Sequence, residues 1–479
     1  MSHTFSSFDF STDPPRFAVP AYRRPTERLV IAGIVFLTVV LIVVKPGLVH
    51  YEFPAITVLA GIFFYRCNPA TYVAFTLWLY FLSPFIRRIV DFRSFWMDPN
   101  PILLAPLLTA LISGWFLCTS LNHSWFEKSV RPYLLAVLAI GAGAMCGLLI
   151  NPSKKDVLVS CLNWLSPVCF GYYIAQFSFK RGEAKEIVTR TFVAGILVMG
   201  VYGIYQFLQA PAWDCNWLEL MNSGDISVSV MGRPEPFGLR VWGTMNSPGP
   251  FSTALTAGLL LLFADTRKAR IPAAVTGYIS FLLTLVRSGW LGWGAGMAAI
   301  AASNKKYLSR MLVTVGVASL LLLPALLYQP IADTVQSRFS SFQSIGGDES
   351  GHERAVEYAS LSEQIAKNPF GFGLTNKDRL NNFVLDSTLL RLPLQLGWIG
   401  CFLYIAAIAL LFRRMFPLST ERGFAVVARA IAISVLVRAP FGQVLTGFDG
   451  VVLWMSCGLV IAELDDLIPR SRFNLSAFG

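Results

Sequence analysis

Charged residues are scarce in this chain of 479 residues. They make up 14% of it, against about 25% in an average globular domain. Hydrophobic residues make up 54%, and the mean hydropathy is +0.57. This balance excludes a disordered chain and argues against a soluble enzyme. The net charge is +11, and the basic residues lie largely beside apolar runs. This placement indicates that they orient helices in a membrane, and it argues against a nucleic-acid partner.

Several chemical motifs are also missing. The chain has eight cysteines but no Cys-x-x-Cys pair, so the pattern supports neither a disulfide framework nor a zinc site. There is no phosphate-binding GxxxxGK[ST] loop and no Rossmann fingerprint, which argues against ATP-driven chemistry. We therefore expect no cofactor and no metal.

The sequence is rich in long apolar runs, and a spanning helix needs about 20 such residues. Because the runs are continuous and not alternating, they predict helices and exclude a closed barrel. The prediction is an all-α polytopic membrane protein with 11–14 transmembrane helices, since 53–65 could be re-entrant and two runs flanking Arg287 could form a tight hairpin. The candidate spans are 29–44, 53–65, 69–86, 101–121, 132–150, 157–177, 191–210, 247–264, 271–286, 289–303, 311–328, 394–412, 424–440 and 450–463.

Lys and Arg in the short loops are in excess on the side that carries the N-terminus, which places both termini in the cytoplasm. Two basic pairs, Arg87–Arg88 and Lys154–Lys155, fall on the other side. No signal peptide is recognisable in the first 28 residues. The expected organisation is a cytoplasmic tail (1–28), N-terminal transmembrane helices (29–210), transmembrane helices with arginine motifs (211–328), a periplasmic loop carrying short helices (329–393), C-terminal transmembrane helices (394–463) and a cytoplasmic tail (464–479).

Ionisable residues near membrane depth are functional candidates because they are costly there. Arg240 precedes a span at an irregular, glycine- and proline-rich entry that would suit an anion. Arg287 interrupts a long apolar stretch. Each arginine also has a simpler interpretation: Arg240 could be a solvated loop residue, and Arg287 could extend to the lipid headgroups.

Further candidates lie in or after the long loop. Asp386, just ahead of a span, could serve as a base. Alternatively, Asp386 or Ser387 could simply cap the helix that follows. Arg429 and Arg438 are interpreted as structural partners of Asp449 or of a lipid headgroup. Together, these charges predict a site for an anionic, lipid-linked substrate on the outer side. Aromatic residues nearby could stack on sugars or form an interfacial belt; they are Trp213, Trp217, Phe237, Trp242 and Trp290.

An ordered set of motifs between residues 238 and 415 resembles the O-antigen ligase and polysaccharide polymerase family of bacterial inner-membrane proteins. The segment from Arg240 to Gly249 is similar to the family's arginine-glycine-threonine-asparagine-proline segment, and 285–291 is similar to its S-R-x-x-W helix end. Gln395 to Gly400 is similar to its E-x-G-x-x-G start of a span. The pieces of the long loop are Ser337-Arg338-Phe339, Gly351-His352-Glu353-Arg354 and 368–373.

This resemblance implies a metal-independent glycosyltransferase of the bacterial inner membrane, active on the periplasmic side. Its members transfer a glycan from undecaprenyl diphosphate to a glycan or lipid acceptor, and a chain-length regulator is a family-level partner. By resemblance Arg240 and Arg287 would hold the diphosphate, with Arg338 and Arg354 assisting. Ligases carry His-Asn just after the loop where this chain has Asp386 and Ser387. An acid there favours the polymerase branch, with Asp386 as the base.

Three alternatives remain open beside a polymerase. A ligase would attach the finished glycan to lipid A core or to a protein, and differs only in its acceptor. A transporter of lipid-linked sugars belongs to another class and would place charges along the middle of many spans. Acids are almost absent from the middle of the spans, which favours the enzyme. A purely structural membrane protein would tolerate replacement of Arg287 or Asp386.

Overall fold

The structure, a computed structural model, is built almost entirely of helices. It describes residues 24–121, 128–176, 183–222, 231–265, 267–303, 316, 358–359, 361–375, 379–380, 383–384, 387–416 and 423–465. The helices are α1 (Arg24–Val44), α2 (Pro46–Cys67), α3 (Pro69–Arg93), α4 (Leu104–Leu111), α5 (Gly114–Leu121), α6 (Arg131–Ile150), α7 (Lys154–Gln176), α8 (Glu183–Gln209), α9 (Ala212–Asn222), α10 (Pro248–Leu261), α11 (Arg270–Leu283), α12 (Arg287–Ser303), α13 (Thr388–Met415), α14 (Gly423–Leu436) and α15 (Gly447–Asp465). A 3₁₀ turn (Pro101–Leu103) precedes α4, and two strands of two residues pair at β1 (Arg379–Leu380) and β2 (Phe383–Val384).

The prediction of an all-α polytopic membrane protein is confirmed. Among the described residues, nine helical stretches are long and apolar enough to cross a membrane. The run predicted at 53–65 belongs to α2, whose 22 residues are enough to span, so a re-entrant segment is not needed. The nine stretches are Pro25–Val44, Pro46–Cys67, Pro69–Arg93, Pro101–Ser120, Arg131–Ile150, Lys154–Gln176, Glu183–Gln209, Thr388–Met415 and Gly447–Leu464.

Local sequence signals explain where several of these helices begin. Proline occupies the first turn of α2, α3, α6 and α10, where its missing N–H costs no hydrogen bond. Asn68 caps α3, and its side chain accepts hydrogen bonds from the backbone N–H groups of Ala70 and Thr71. These signals fix the turn between α2 and α3.

The helices between residues 248 and 303 differ from those of the first half. Helices α10 and α11 have 14 residues each and α12 has 17. The tight hairpin considered around Arg287 is not formed as a packed pair, because α11 packs against α8 whereas α12 packs against α14. The span predicted at 311–328 lies outside the described residues except for Gly316, which is helical.

Small residues allow the closest helix contacts. A Cβ atom at Gly171 of α7 would lie 2.6 Å from the backbone oxygen of Trp454 in α15, and one at Gly458 would lie 2.4 Å from the oxygen of Gly171. Helices in lipid associate through such close packing, because lipid tails are as apolar as the side chains. The α7–α15 contact therefore depends on glycine at both positions.

Contacts define two ends of the helix bundle. At one end, which we call the Arg240 end, α3, α8, α11 and α14 finish, and α10, α12, α13 and α15 begin. At the opposite end Glu27 of α1 accepts hydrogen bonds from Asn68 and Thr71, and Arg429 of α14 donates to Ser303 of α12. The Arg240 end is where the sequence motifs meet.

Candidate functional site

Arg240 lies at a break between two helices. Its Nε donates to the carbonyl oxygen of Thr284 at 3.3 Å and its Nη2 to that of Leu285 at 3.1 Å. Both carbonyls belong to the segment 284–286, which joins α11 to α12. The planar guanidinium can reach two carbonyls at once, which a lysine ammonium could not reproduce with the same geometry.

Arg287 begins α12 directly after this break. Leu285, two residues earlier, has φ of 52°, a left-handed conformation that is uncommon for a residue with a side chain. Thr284 supports the break, since its hydroxyl donates to Phe281 O at 2.7 Å and accepts from Val286 N at 3.3 Å. The structure therefore brings Arg240 to the backbone turn that directly precedes Arg287.

The first turns of α10 and α12 lie side by side at this break. A Cβ atom at Gly289 would be 2.7 Å from the Oγ of Ser252, and one at Gly292 would be 2.9 Å from the Cδ of Arg438. Each helix N-terminus presents unsatisfied backbone N–H groups and a partial positive charge. Arginines and helix N-termini at one place can bind an anion such as a phosphate group.

A buried ion pair ties the same region to α15. Arg438 Nη1 is 3.6 Å from Asp449 Oδ1, and both side chains are buried. Arg438 also donates to Gly249 O at 3.2 Å and to the hydroxyl of Thr253, which in turn donates to Asp449. Arg438 is therefore a structural partner of Asp449, whereas Arg429 contacts Met415 O and Ser303 at the opposite end.

The start of α13 is fixed to the segment between α14 and α15. Thr388 donates through its backbone N to Ala439 O at 2.9 Å and through its hydroxyl to Gly442 O at 2.6 Å. Ser387 occupies the N-cap position, but its hydroxyl pairs with the Tyr358 hydroxyl at 2.5 Å and makes no cap hydrogen bond. Ser387 therefore lies at the capping position that was considered for it, but its side chain does not supply the capping hydrogen bond. Arg391 follows in the first turns of α13 and is buried.

Three predicted site residues, Arg338, Arg354 and Asp386, lie outside the described residues. Their proximity to Arg240 and Arg287 stays a prediction.

Sequence reasoning missed a buried pair at this end, Arg88 and Asp214, whose Nε and Oδ1 atoms are 2.8 Å apart. The predicted spans 69–86 and 191–210 left Arg87–Arg88 and Asp214 outside any span. Instead both arginines lie inside α3, and residues 212–222 form α9. The apolar residues Ile89 and Val90 after the arginine pair were the available signal that the helix continues.

The aromatic residues considered for sugar stacking lie in different environments. Trp217 and Trp242 are buried, with Trp217 stacked on Arg87 at 4.7 Å, so sugar stacking is wrong for these two. Trp213 is partly buried and donates to the Tyr202 hydroxyl at 2.7 Å. Beside it, burial and the negative charges of Asp214 and Glu219 raise the pKa of the Cys215 thiol.

Within the part of the chain that the structure describes, no group of three or more His, Cys, Asp or Glu side chains could hold a metal ion. Comparisons with protein-family models, with characterised proteins and with solved structures found no match to this chain.

Proposed function

We propose that the chain is a membrane-embedded glycosyltransferase that polymerises or transfers oligosaccharide linked to undecaprenyl diphosphate. In this proposal the protein lies in a bacterial inner membrane, the Arg240 end faces the periplasm, and the acceptor is a glycan or lipid hydroxyl. The polymerase is favoured over a ligase because an acid, Asp386, stands where ligases carry histidine. A ligase would use the same arginines.

The observation that carries the proposal is the meeting of Arg240 with the turn of Arg287. Arg240 contacts the carbonyls of residues 284 and 285, and the adjoining first turns of α10 and α12 point their N-termini to this end. A diphosphate needs at least two cationic or N–H-rich partners, and arginine suits it because its planar fork matches phosphate oxygens. Such a site supports a substrate held by its diphosphate.

The proposed reaction is a single displacement at the anomeric carbon. An acceptor hydroxyl oxygen forms a bond to this carbon while the bond to the diphosphate oxygen breaks, and undecaprenyl diphosphate leaves with the bonding electrons. Arg240 and Arg287 stabilise the negative charge that grows on the leaving group. The hydroxyl proton passes to the carboxylate of Asp386. Inversion at the anomeric carbon is expected, because no covalent intermediate is formed.

The test compares surface polysaccharide and the lipid-linked pool in cells that carry Arg287→Ala, Asp386→Asn or Arg190→Ala. Arg190 is the matched control, since it is 62% exposed and pairs with Glu186 near the start of α8, away from the Arg240 end. Loss of a general base costs about 10²- to 10⁴-fold in rate, and loss of one group that stabilises transition-state charge costs about 10²- to 10³-fold. We therefore expect long glycan to disappear in the first two variants and to persist in the control. Membrane levels of all variants are checked by immunoblot.

The lipid-linked pool separates the alternatives. Accumulation of single repeat units on the periplasmic face supports the polymerase. Long, unattached lipid-linked glycan would identify a ligase, and units retained on the cytoplasmic face would identify a transporter. Normal glycan in both site variants would overturn the proposal.

A further inference from the structure

The segment 240–247, which carries Arg240 and leads into α10, has an irregular backbone held by side chains of two other helices. Gln206 of α8 accepts hydrogen bonds through its Oε1 from the backbone N–H groups of Trp242 at 3.0 Å and Gly243 at 2.9 Å. The hydroxyl of Thr244 donates to Phe81 O of α3 at 2.6 Å. Irregular backbone within a membrane bundle requires such partners, because no water replaces them.

Arg88 of α3 binds two backbone carbonyl oxygens of the same turn. Its Nη2 donates to Gly243 O at 2.6 Å and its Nη1 to Met245 O, while its Nε lies 2.8 Å from Asp214 Oδ1. The other carboxylate oxygen of Asp214 accepts from Gln206 Nε2 at 2.8 Å and from the Tyr202 hydroxyl at 2.7 Å. We call Arg88, Gln206 and Asp214 the Arg88 clasp.

The clasp is fully enclosed, with Arg88 1% exposed, and Gln206 and Asp214 0% exposed. Burying an ion pair costs several kcal/mol per ion, which its mutual attraction offsets only with good geometry and further hydrogen bonds. Here the side-chain hydrogen bonds of the three residues go to the turn 242–245, to Tyr202 or to one another. The arrangement therefore constrains one short segment, and that segment carries Arg240.

We propose that Arg88, Gln206 and Asp214 are positioning residues, which hold the segment 240–247 so that the Arg240 guanidinium stays on the break beside Arg287. The inference deepens the proposed function and rests on it for the ligand, a lipid diphosphate. None of the three residues contacts the ligand. They act through Trp242, Gly243 and Met245, and loss of the clasp frees Arg240 from the break.

Two variants test the clasp in different ways. Arg88→Lys keeps a positive charge beside Asp214 but cannot bond both carbonyls of the turn. Gln206→Met keeps both charges of the ion pair and the side-chain length, but it removes the acceptor for Trp242 and Gly243 and one donor to Asp214. Gln209→Met, an exposed position on the same helix, is the matched control. Each is purified full length in nanodiscs.

Two measurements are made on each protein: hydrogen exchange of the backbone amides at 241–245, and binding of undecaprenyl diphosphate. We expect faster exchange confined to this segment and roughly tenfold weaker binding, a factor that corresponds to about 1.4 kcal/mol, in both clasp variants and not in Gln209→Met. The melting temperature and exchange in α7 and α15 report global stability. A purely structural role would raise exchange throughout the bundle.

The outcomes separate the clasp from the proposed function. Faster exchange at 241–245 with unchanged binding overturns the positioning role, and unchanged exchange overturns the clasp itself. If the parent protein binds no undecaprenyl diphosphate, the proposed function and the ligand part of this inference fail together, while exchange still decides whether the clasp holds the segment. If Arg88→Lys does not fold, Gln206→Met alone decides, because it leaves both charges in place.

Discussion

At the scale of the residue, two neighbouring arginines of α3 hold different parts of the Arg240 end. Arg87 pairs with Asp91 at 3.1 Å, and its guanidinium lies 4.9 and 4.7 Å from the ring centroids of Trp96 and Trp217, which also contact each other. Arg88 instead holds the turn before α10. The positive-inside rule counts charges in loops near the ends of spans. Both arginines are buried in protein, which explains why their place disagrees with the charge count.

The pair of Arg438 and Asp449 gives the first prediction. Removing one member of a buried pair leaves an uncompensated charge and costs about 3–5 kcal/mol, whereas replacing both with apolar groups is often close to neutral. We expect Arg438→Met or Asp449→Leu alone to lower stability by that amount. The double variant Arg438→Met, Asp449→Leu should recover most of it.

The measurement is a double-mutant cycle, read from unfolding of the purified protein in detergent. Thr253→Val is a useful companion, because Thr253 bridges the two charges through its hydroxyl. Additive losses in the double variant would show that the two residues act separately, contrary to the buried pair.

At the scale of the element, several helices of the second half are too short to cross a membrane alone. A helix of 14 residues, such as α10, α11 or α14, extends about 21 Å, against about 30 Å of hydrocarbon. Irregular segments adjoin these helices at the Arg240 end, namely 240–247 before α10, 284–286 after α11 and 437–446 after α14. Such backbone is tolerated at membrane depth only where its polar groups find partners inside the protein. The chain thereby places the arginines on backbone that is not helical.

A further irregular element fastens the long loop to the bundle. Helix α13 is broken at Gly397, which has φ of 67°. The segment 368–375 fills this break: Phe372 N donates to Leu394 O at 2.7 Å, and Trp398 N donates to Pro369 O at 2.8 Å. Leu374 N also donates to Gly143 O of α6. The end of the loop is thus anchored between α6 and α13.

Gly373 is the residue on which this anchor depends. Its φ is 75°, and a Cβ atom there would lie 2.1 Å from the backbone N of Gly147. Forcing a side chain into a left-handed conformation costs about 1–3 kcal/mol, and the clash with α6 backbone adds to it. We expect Gly373→Ala to release the segment 368–375, seen as faster hydrogen exchange at Phe372 and Leu374.

Gly442→Ala is the control for this prediction, since nothing lies within 4 Å of a Cβ atom at that position. Equal exchange in Gly373→Ala and the parent protein would contradict the anchor.

At the scale of the whole molecule, periodicity and hydropathy were enough to predict the helical membrane fold and the places of the long spans. They failed where backbone groups find partners far away in sequence. The run 271–286 continues past the end of α11, because Thr284, Leu285 and Val286 are apolar or small yet form the break that Arg240 contacts. Arg240 and Arg287 were identified by position, whereas Arg88 and Asp214 were missed because their pairing depends on how α3 and α9 pack.

Orientation gives the last prediction. Because α1 starts and α15 finishes at the opposite end from Arg240, the two ends of the described chain lie on one side of the bundle. The Lys and Arg excess in the short loops predicts that this side is cytoplasmic.

In a cysteine-free background, Arg233→Cys at the Arg240 end should react with a membrane-impermeant maleimide in cells whose outer membrane is permeabilised. Lys268→Cys, exposed between α10 and α11, should react only after the inner membrane is broken. The reverse pattern would place Arg240 and Arg287 in the cytoplasm and remove the basis for a periplasmic glycosyltransferase, because a displacement at the Arg240 end would then occur on the wrong face of the membrane.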